Sequence, residues 1–122
     1  MIGIDIEEVK RFALKKENAF IARTFTPDEI VYAYARTKPA MHLAGMFCVK
    51  EAYCKAIGRG VEFTTIEIAH EKSGKPYLRV KNAQRKTNSE RRDFKRAAFA
   101  VSISHTAKHA IAVVLKNKKS TP

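Results

Sequence analysis

Cysteine is scarce in this chain of 122 residues: Cys48 and Cys54 are the only two. Both fall on one expected helix, six positions and about 600° apart, so they point to different faces and cannot bridge each other. That excludes a disulfide scaffold and fits two reduced core thiols in a cytoplasmic protein. Neither thiol stands at ligand spacing from another ligand, which argues against zinc. No apolar run approaches the ~20 residues of a membrane span, and the N-terminus runs into a strand pattern without a signal peptide. Internal repeats and low-complexity linkers are also missing. Acidic residues are few, 12 against 24 Lys and Arg, for a net charge of +12. A chain this basic is expected to meet an anion. Nucleic acid, a polyphosphate cofactor and an acidic protein all qualify, and charge alone does not choose among them.

What is present suits one small folded domain. Hydrophobic residues make up 45% of the chain, and its length allows one core. We expect residues 1–116 to form that domain and 117–122 to fray. Ile2, Ile4 and Ile6 alternate with Gly3 and Asp5, a strand whose isoleucines are expected to face the core with Asp5 on the other side. A helix is expected from about Glu7 to Ala22. Thr26-Pro27-Asp28-Glu29 reads as a capping box with proline at the first helical position, and that helix should stop before Pro39. A further helix over Ala40–Ile57 is closed by Gly58. Strands are expected over Glu62–Ala69, Tyr77–Val80, Ala98–Ser104 and His109–Leu115, the last two as a hairpin and the first two around a turn at Ser73–Pro76. Asn82–Lys95 reads as a basic helix. Its cluster from Arg85 to Arg96 is either a solvated face or an anion-binding patch. The sum is an α+β domain with a mostly antiparallel sheet packed with helices.

Two carboxylates stand out. Asp5 is a residue type that strands disfavour, read either as a helix cap or as a metal ligand. Glu51 follows an uncharged stretch, Leu43–Val49, and pairs in register with Lys55 at i,i+4. A cation between Asp5 and Glu51 would keep both ionised near a core, and two carboxylates completed by water and phosphate oxygens is a common Mg²⁺ arrangement. Lys50 falls on the apolar line of its helix, where a lysine ordinarily snorkels outward. Lys55, with Gly58 and Gly60 beyond it, is placed to approach a phosphate. Ser102, Ser104 and His105 end a strand, but no acid orients the histidine and no elbow glycines flank the serines, so a nucleophilic triad is set aside. His42, His70 and His109 read as surface or boundary residues.

These pieces, in this order, resemble the holo-acyl-carrier-protein synthases, the small 4′-phosphopantetheinyl transferases. The resemblance runs from Ile2 to about Leu115. It rests on Gly3-Ile4-Asp5-Ile6 with Arg11, Phe25 to Glu29, Leu43-Ala44-Gly45, Phe47, Lys50-Glu51-Ala52, Lys55-Ala56, Gly74 to Tyr77, and Val101 to Thr106. It implies transfer of the 4′-phosphopantetheine arm from coenzyme A to a serine of apo acyl carrier protein, releasing adenosine 3′,5′-bisphosphate, for fatty acid biosynthesis. Asp5 and Glu51 would hold Mg²⁺. Lys55 would contact phosphate. Glu51, or a water beside the metal, would take the serine proton. Gly58, Lys75, Pro76, Ser104 and His105 match segments that line the coenzyme A site, and Arg11 and Arg23 match the basic region that docks the carrier. The family also implies homotrimers with shared sites, which for this chain means about +36 on the assembly. Met46 departs from the pattern, standing where many members carry arginine. The competing reading, a small basic nucleic-acid-binding module, explains the charge but leaves Asp5 and Glu51 repelling phosphate. We therefore expect neither a nucleic acid nor a membrane as partner.

Overall fold

The computed structural model describes residues 1–81 and 93–117. Its strands are β1 (Ile2–Glu8), β2 (Ile66–His70), β3 (Pro76–Lys81), β4 (Phe94–Arg96), β5 (Phe99–His105) and β6 (His109–Lys116). Its helices are α1 (Ala19–Thr24), α2 (Pro27–Tyr34) and α3 (Pro39–Ile57), with 3-10 turns at Val9–Phe12 and Phe63–Thr65. Two three-stranded antiparallel sheets form, ordered β1-β6-β5 and β2-β3-β4. The α+β class with antiparallel sheets is as expected.

The long helix α3 lies across the inner face of the first sheet. Its middle, Leu43 to Lys50, is buried without interruption, as befits a central helix apolar nearly all round. Gly58 ends it in the left-handed conformation (φ 77°) and donates its N–H to the Cys54 carbonyl, the geometry glycine adopts without a Cβ penalty.

Three expectations need correction. The first concerns the facing of β1. Ile2, Ile4 and Ile6 are 65%, 53% and 60% exposed, while Gly3 is buried and Asp5 and Glu7 are partly covered. Gly3 decides this: a Cβ there would lie 1.8 Å from the Ala52 carbonyl oxygen. Only the glycine face lets the strand approach the α3 backbone, so the isoleucines point outward. Second, no single helix runs from Glu7 to Ala22. The strand continues to Glu8, paired with His109, because ladder bonds to β6 override local helix preference. The chain then makes a 3-10 turn and the short α1, capped by Asn18, whose Oδ1 accepts from the Phe20 N–H at 2.8 Å. Third, residues 63–65 form a 3-10 turn before β2 rather than a strand. The expected helix over Asn82–Lys95 lies largely outside the described residues, and its last two positions, Phe94 and Lys95, fall in β4.

Lys50 is also not at the surface. Its side chain is fully buried and pairs with the equally buried Glu29 at 2.8 Å. The ammonium donates further to the carbonyls of Thr24 (3.0 Å), Phe63 (2.6 Å) and Ile66 (2.7 Å). Glu29, the capping-box glutamate of α2, accepts in turn from the N–H groups of Thr26 and Ile68, both at 2.8 Å. Burial pulls the Lys50 ammonium down and pushes the Glu29 carboxyl up from their ordinary values, each opposed by the other's charge. Removing one partner leaves the other charge buried without compensation. Lys50→Met should therefore cost about 3–5 kcal/mol in chemical denaturation. A loss below about 1 kcal/mol would show that the pair does not hold these segments.

Candidate active site

The inner face of β1 carries Gly3, Asp5 and Glu7 in sequence alternation, and α3 crosses it at Cys48 to Ala56. Lys55 reaches back across this contact. Its ammonium lies 3.4 Å from Asp5 Oδ1 and donates to the Ile4 carbonyl at 3.0 Å. The i,i+4 pair with Glu51 does not form, since Lys55 goes to Asp5 instead. Cys48 meets the Asp5 carboxylate one turn before Glu51. Glu51, three residues past Cys48 and four before Lys55, occupies the same flank of the helix. It is half-buried and, among the described residues, has no cation beside it.

The electrostatics are tight. The Asp5 side chain is 11% exposed, and its Oδ2 is buried with no hydrogen-bond partner among the described residues. Glu7 lies within reach of Asp5 and is held on its other side by Arg11, Nη1 to Oε1, at 2.6 Å. Burial raises the Glu7 carboxyl, the Asp5 carboxylate raises it further, and Arg11 opposes both. Burial and the same two carboxylates push the Cys48 thiol up to about 12, while its S–H donates to the Ala110 carbonyl at 3.3 Å.

Among the described residues, no three His, Cys, Asp or Glu side chains are arranged to hold a metal by themselves. The oxygen-only pair Asp5 and Glu51 nevertheless fits a hard divalent cation that takes its remaining ligands from a bound polyanion or water. The orphaned Asp5 Oδ2 is the observation that favours one, because a buried acceptor without a donor is costly.

Of the other expected site residues, Gly58 caps α3 one turn beyond Lys55. Lys75 sits in a turn of the second sheet, beside Gly74 at φ 92°, and Pro76 opens β3. Ser104 pairs with Ile111, whose other neighbour is Ile6. It therefore lies on the outer face of the first sheet, opposite to Asp5, and His105 is exposed at the strand end. No hydrogen bond or ion pair among the described residues joins Lys75, Ser104 or His105 to Asp5, Glu51 or Lys55. Arg11 is half-exposed over the rings of Phe12, Phe20 and Phe47, its guanidinium carbon 5.4, 5.8 and 4.9 Å from their centroids. Arg23, at the end of α1, lines a cavity of about 620 Å³ with Phe20, Phe47 and Phe63.

Sequence reasoning passed over Glu7, although the alternation that places Asp5 inward places Glu7 there too. It also passed over the stack on α2. Tyr32 lies flat on His70 (4.0 Å, 2°) and under Arg36 (3.3 Å), so His70 is a half-buried boundary residue with a ring partner.

The model of the 4′-phosphopantetheinyl transferase superfamily matches residues 1–114. The holo-[acyl-carrier-protein] synthase of Moorella thermoacetica is 37% identical, covering 93% of this chain and 90% of that one. That of Halothermothrix orenii is 40% identical, covering 93% and 94%. The crystal structure of a holo-(acyl-carrier-protein) synthase from Bacillus anthracis, in complex with CoA (3′,5′-ADP), superposes with a TM-score of 0.71 at 35% identity over 96% of each chain. The chain belongs to the 4′-phosphopantetheinyl transferase superfamily and, within it, to the holo-[acyl-carrier-protein] synthases. Among the described residues, no helix is long and apolar enough to cross a membrane.

One consequence of the Cys48 thiol's burial is directly measurable. Cys48 is fully buried, and its thiol is pushed up to about 12, first by burial and then by the neighbouring carboxylates, so at pH 8 it is protonated and shielded. Native protein treated with iodoacetamide at pH 8 should leave Cys48 unmodified by peptide mass mapping, and denaturant should expose it. Rapid native modification of Cys48 would contradict the buried site geometry.

Proposed function

We propose that this protein moves the 4′-phosphopantetheine arm of coenzyme A onto a serine of apo acyl carrier protein, with Mg²⁺, releasing adenosine 3′,5′-bisphosphate in support of cytoplasmic fatty acid biosynthesis. The observation that carries the reading is the unpartnered, buried Asp5 Oδ2 on the same flank as the unpaired Glu51, with Lys55 between strand and helix. The coenzyme named in the Bacillus anthracis complex supports the donor.

Residues 1–116 act as one catalytic domain. The serine oxygen attacks the phosphorus that carries the pantetheine arm. The bond from that phosphorus to the bridging oxygen breaks, and the adenosine bisphosphate leaves with the electron pair. Mg²⁺ held by Asp5 and Glu51 would supply charge neutralisation at the diphosphate. Glu51, or a water beside it, takes the serine proton. Lys55, its side chain 55% exposed, offers its ammonium to a phosphate oxygen, and Gly58 lets backbone approach. Lys75, Pro76, Ser104 and His105 contact the coenzyme. Arg11 and Arg23 meet the acidic carrier.

The outer face of the first sheet supports a shared site. Ile2, Ile4, Ile6 and Leu115 are exposed together there, and Ile111 and Val113 pair beside them. A contiguous apolar face of this kind marks an interface. Ser104 lies on it, so a coenzyme contact from Ser104 belongs at the boundary with another copy. The arrangement we propose is a homotrimer. Sedimentation should give a trimer mass, and Ile4→Glu should shift it to monomer. An Ile4→Glu protein that stayed trimeric would remove this face from the interface.

The decisive assay is the intact mass of an apo acyl carrier protein after incubation with the protein, coenzyme A and Mg²⁺. A gain of about 340 Da, abolished by EDTA, is expected. Glu51→Gln should keep the fold and lose transfer at least about 100-fold. Near-normal turnover of that variant at low Mg²⁺ would overturn the metal assignment.

A further inference from the structure

Among the described residues, Glu7 shares the inner face of β1 with Asp5 and pairs with Arg11 on its other side. On one side its carboxylate is held by Arg11 at 2.6 Å, and on the other it lies within reach of the Asp5 carboxylate. Its side chain is only 16% exposed, so solvent screens these contacts weakly. Arg11 is differently placed. Its guanidinium is clamped over three phenylalanine rings, yet its side chain is half-exposed. It opens onto a cleft of about 480 Å³ lined by Ile6, Glu7, Glu8, Arg11 and His109. An acid entering that cleft meets a fixed guanidinium already engaged by Glu7.

We propose that Glu7 couples carrier docking to cation binding: a carrier carboxylate that takes Arg11 releases Glu7 from its counter-charge and so strengthens the field that holds a divalent cation at Asp5. The inference rests on the reading of Asp5 and Glu51 as the metal pair and of Arg11 as a carrier contact. The sign follows from charge. While Arg11 neutralises Glu7, Asp5 has a dipole beside it. Once a second acid shares the Arg11 guanidinium, the charge of Glu7 is no longer fully offset and Asp5 has a net negative neighbour, which favours a cation and disfavours its absence. Glu7 need not become a ligand, in keeping with the lack of a preformed three-residue site among the described residues. Linkage requires reciprocity: the cation must tighten carrier binding by the same factor that the carrier tightens cation binding. Glu8, in the same cleft, pairs with Lys10 at 3.7 Å and is largely exposed, so it does not share this role.

The test is Mn²⁺ affinity by electron paramagnetic resonance, with and without apo acyl carrier protein, in the unsubstituted protein, Glu7→Gln and Glu7→Val. Tightening of about fivefold by the carrier is expected in the parent chain, falling below about twofold in both variants. The valine variant, with its strong strand preference, keeps the result readable if glutamine perturbs the fold, which circular dichroism monitors. Fivefold tightening that survives in either folded variant would overturn the coupling. So would Mn²⁺ binding in the parent chain that ignores the carrier, and that outcome would leave the metal pair standing. Absence of Mn²⁺ binding in the parent chain would overturn the metal reading and this inference together.

Discussion

The fold turns on one buried ammonium group. Lys50 brings a full charge to the middle of an apolar helix, and four oxygen-bearing groups of the chain are organised around it, the Glu29 carboxylate and three backbone carbonyls. The three carbonyls come from the end of α1, the 3-10 turn at Phe63–Thr65 and the start of β2. The carboxylate comes from α2. A charge of this kind is costly unless every donor finds an acceptor. Its satisfaction therefore ties four segments to one point on α3, next to Glu51. Thr26 and Glu67 extend the network, the threonine hydroxyl donating to Glu67 Oε2 at 2.7 Å while Arg79 holds Oε1 at 2.9 Å.

The second constraint is the close approach of β1 to α3 at Gly3. Because the strand touches helix backbone there, the polar positions that follow, Asp5 and Glu7, are carried into the interface between strand and helix. Carboxylates in such a place need counter-charges, and the chain supplies Lys55 and Arg11 from either side. One oxygen of Asp5 is left over. The same packing turns the isoleucines outward and makes an apolar sheet face out of what alternation alone reads as core. The acid pair and the outer apolar face are two consequences of one glycine.

Net charge fits this picture. The chain is strongly basic, yet five of its twelve acids lie in two places within the fold: Asp5, Glu7 and Glu51 at the strand–helix contact, Glu29 and Glu67 in the buried network. The surface therefore carries a large excess of cations, which would speed encounter with anionic partners and make it sensitive to salt.

Local signals determined much of this protein. The capping box at Thr26–Glu29, the left-handed cap at Gly58, the turn around Gly74 and the β5–β6 hairpin were all legible, because each depends on residues within a few positions of one another. Asp5, Glu51 and Lys55 stood out in the sequence by residue type and helical spacing, and the fold brings Lys55 to Asp5. Tertiary structure decided what depends on partners distant in the chain. Alternation in β1 has two equivalent faces, and only contact with Ala52, some fifty residues away, selects the glycine face. A lysine on an apolar stripe snorkels or is buried according to whether acceptors from four other segments converge on it. Lys55 takes Asp5 rather than Glu51 because the strand lies closer to its ammonium than its helical neighbour does. Sequence specifies which groups carry charge. Packing specifies which of them meet, because desolvation makes each pairing depend on everything that excludes water around it.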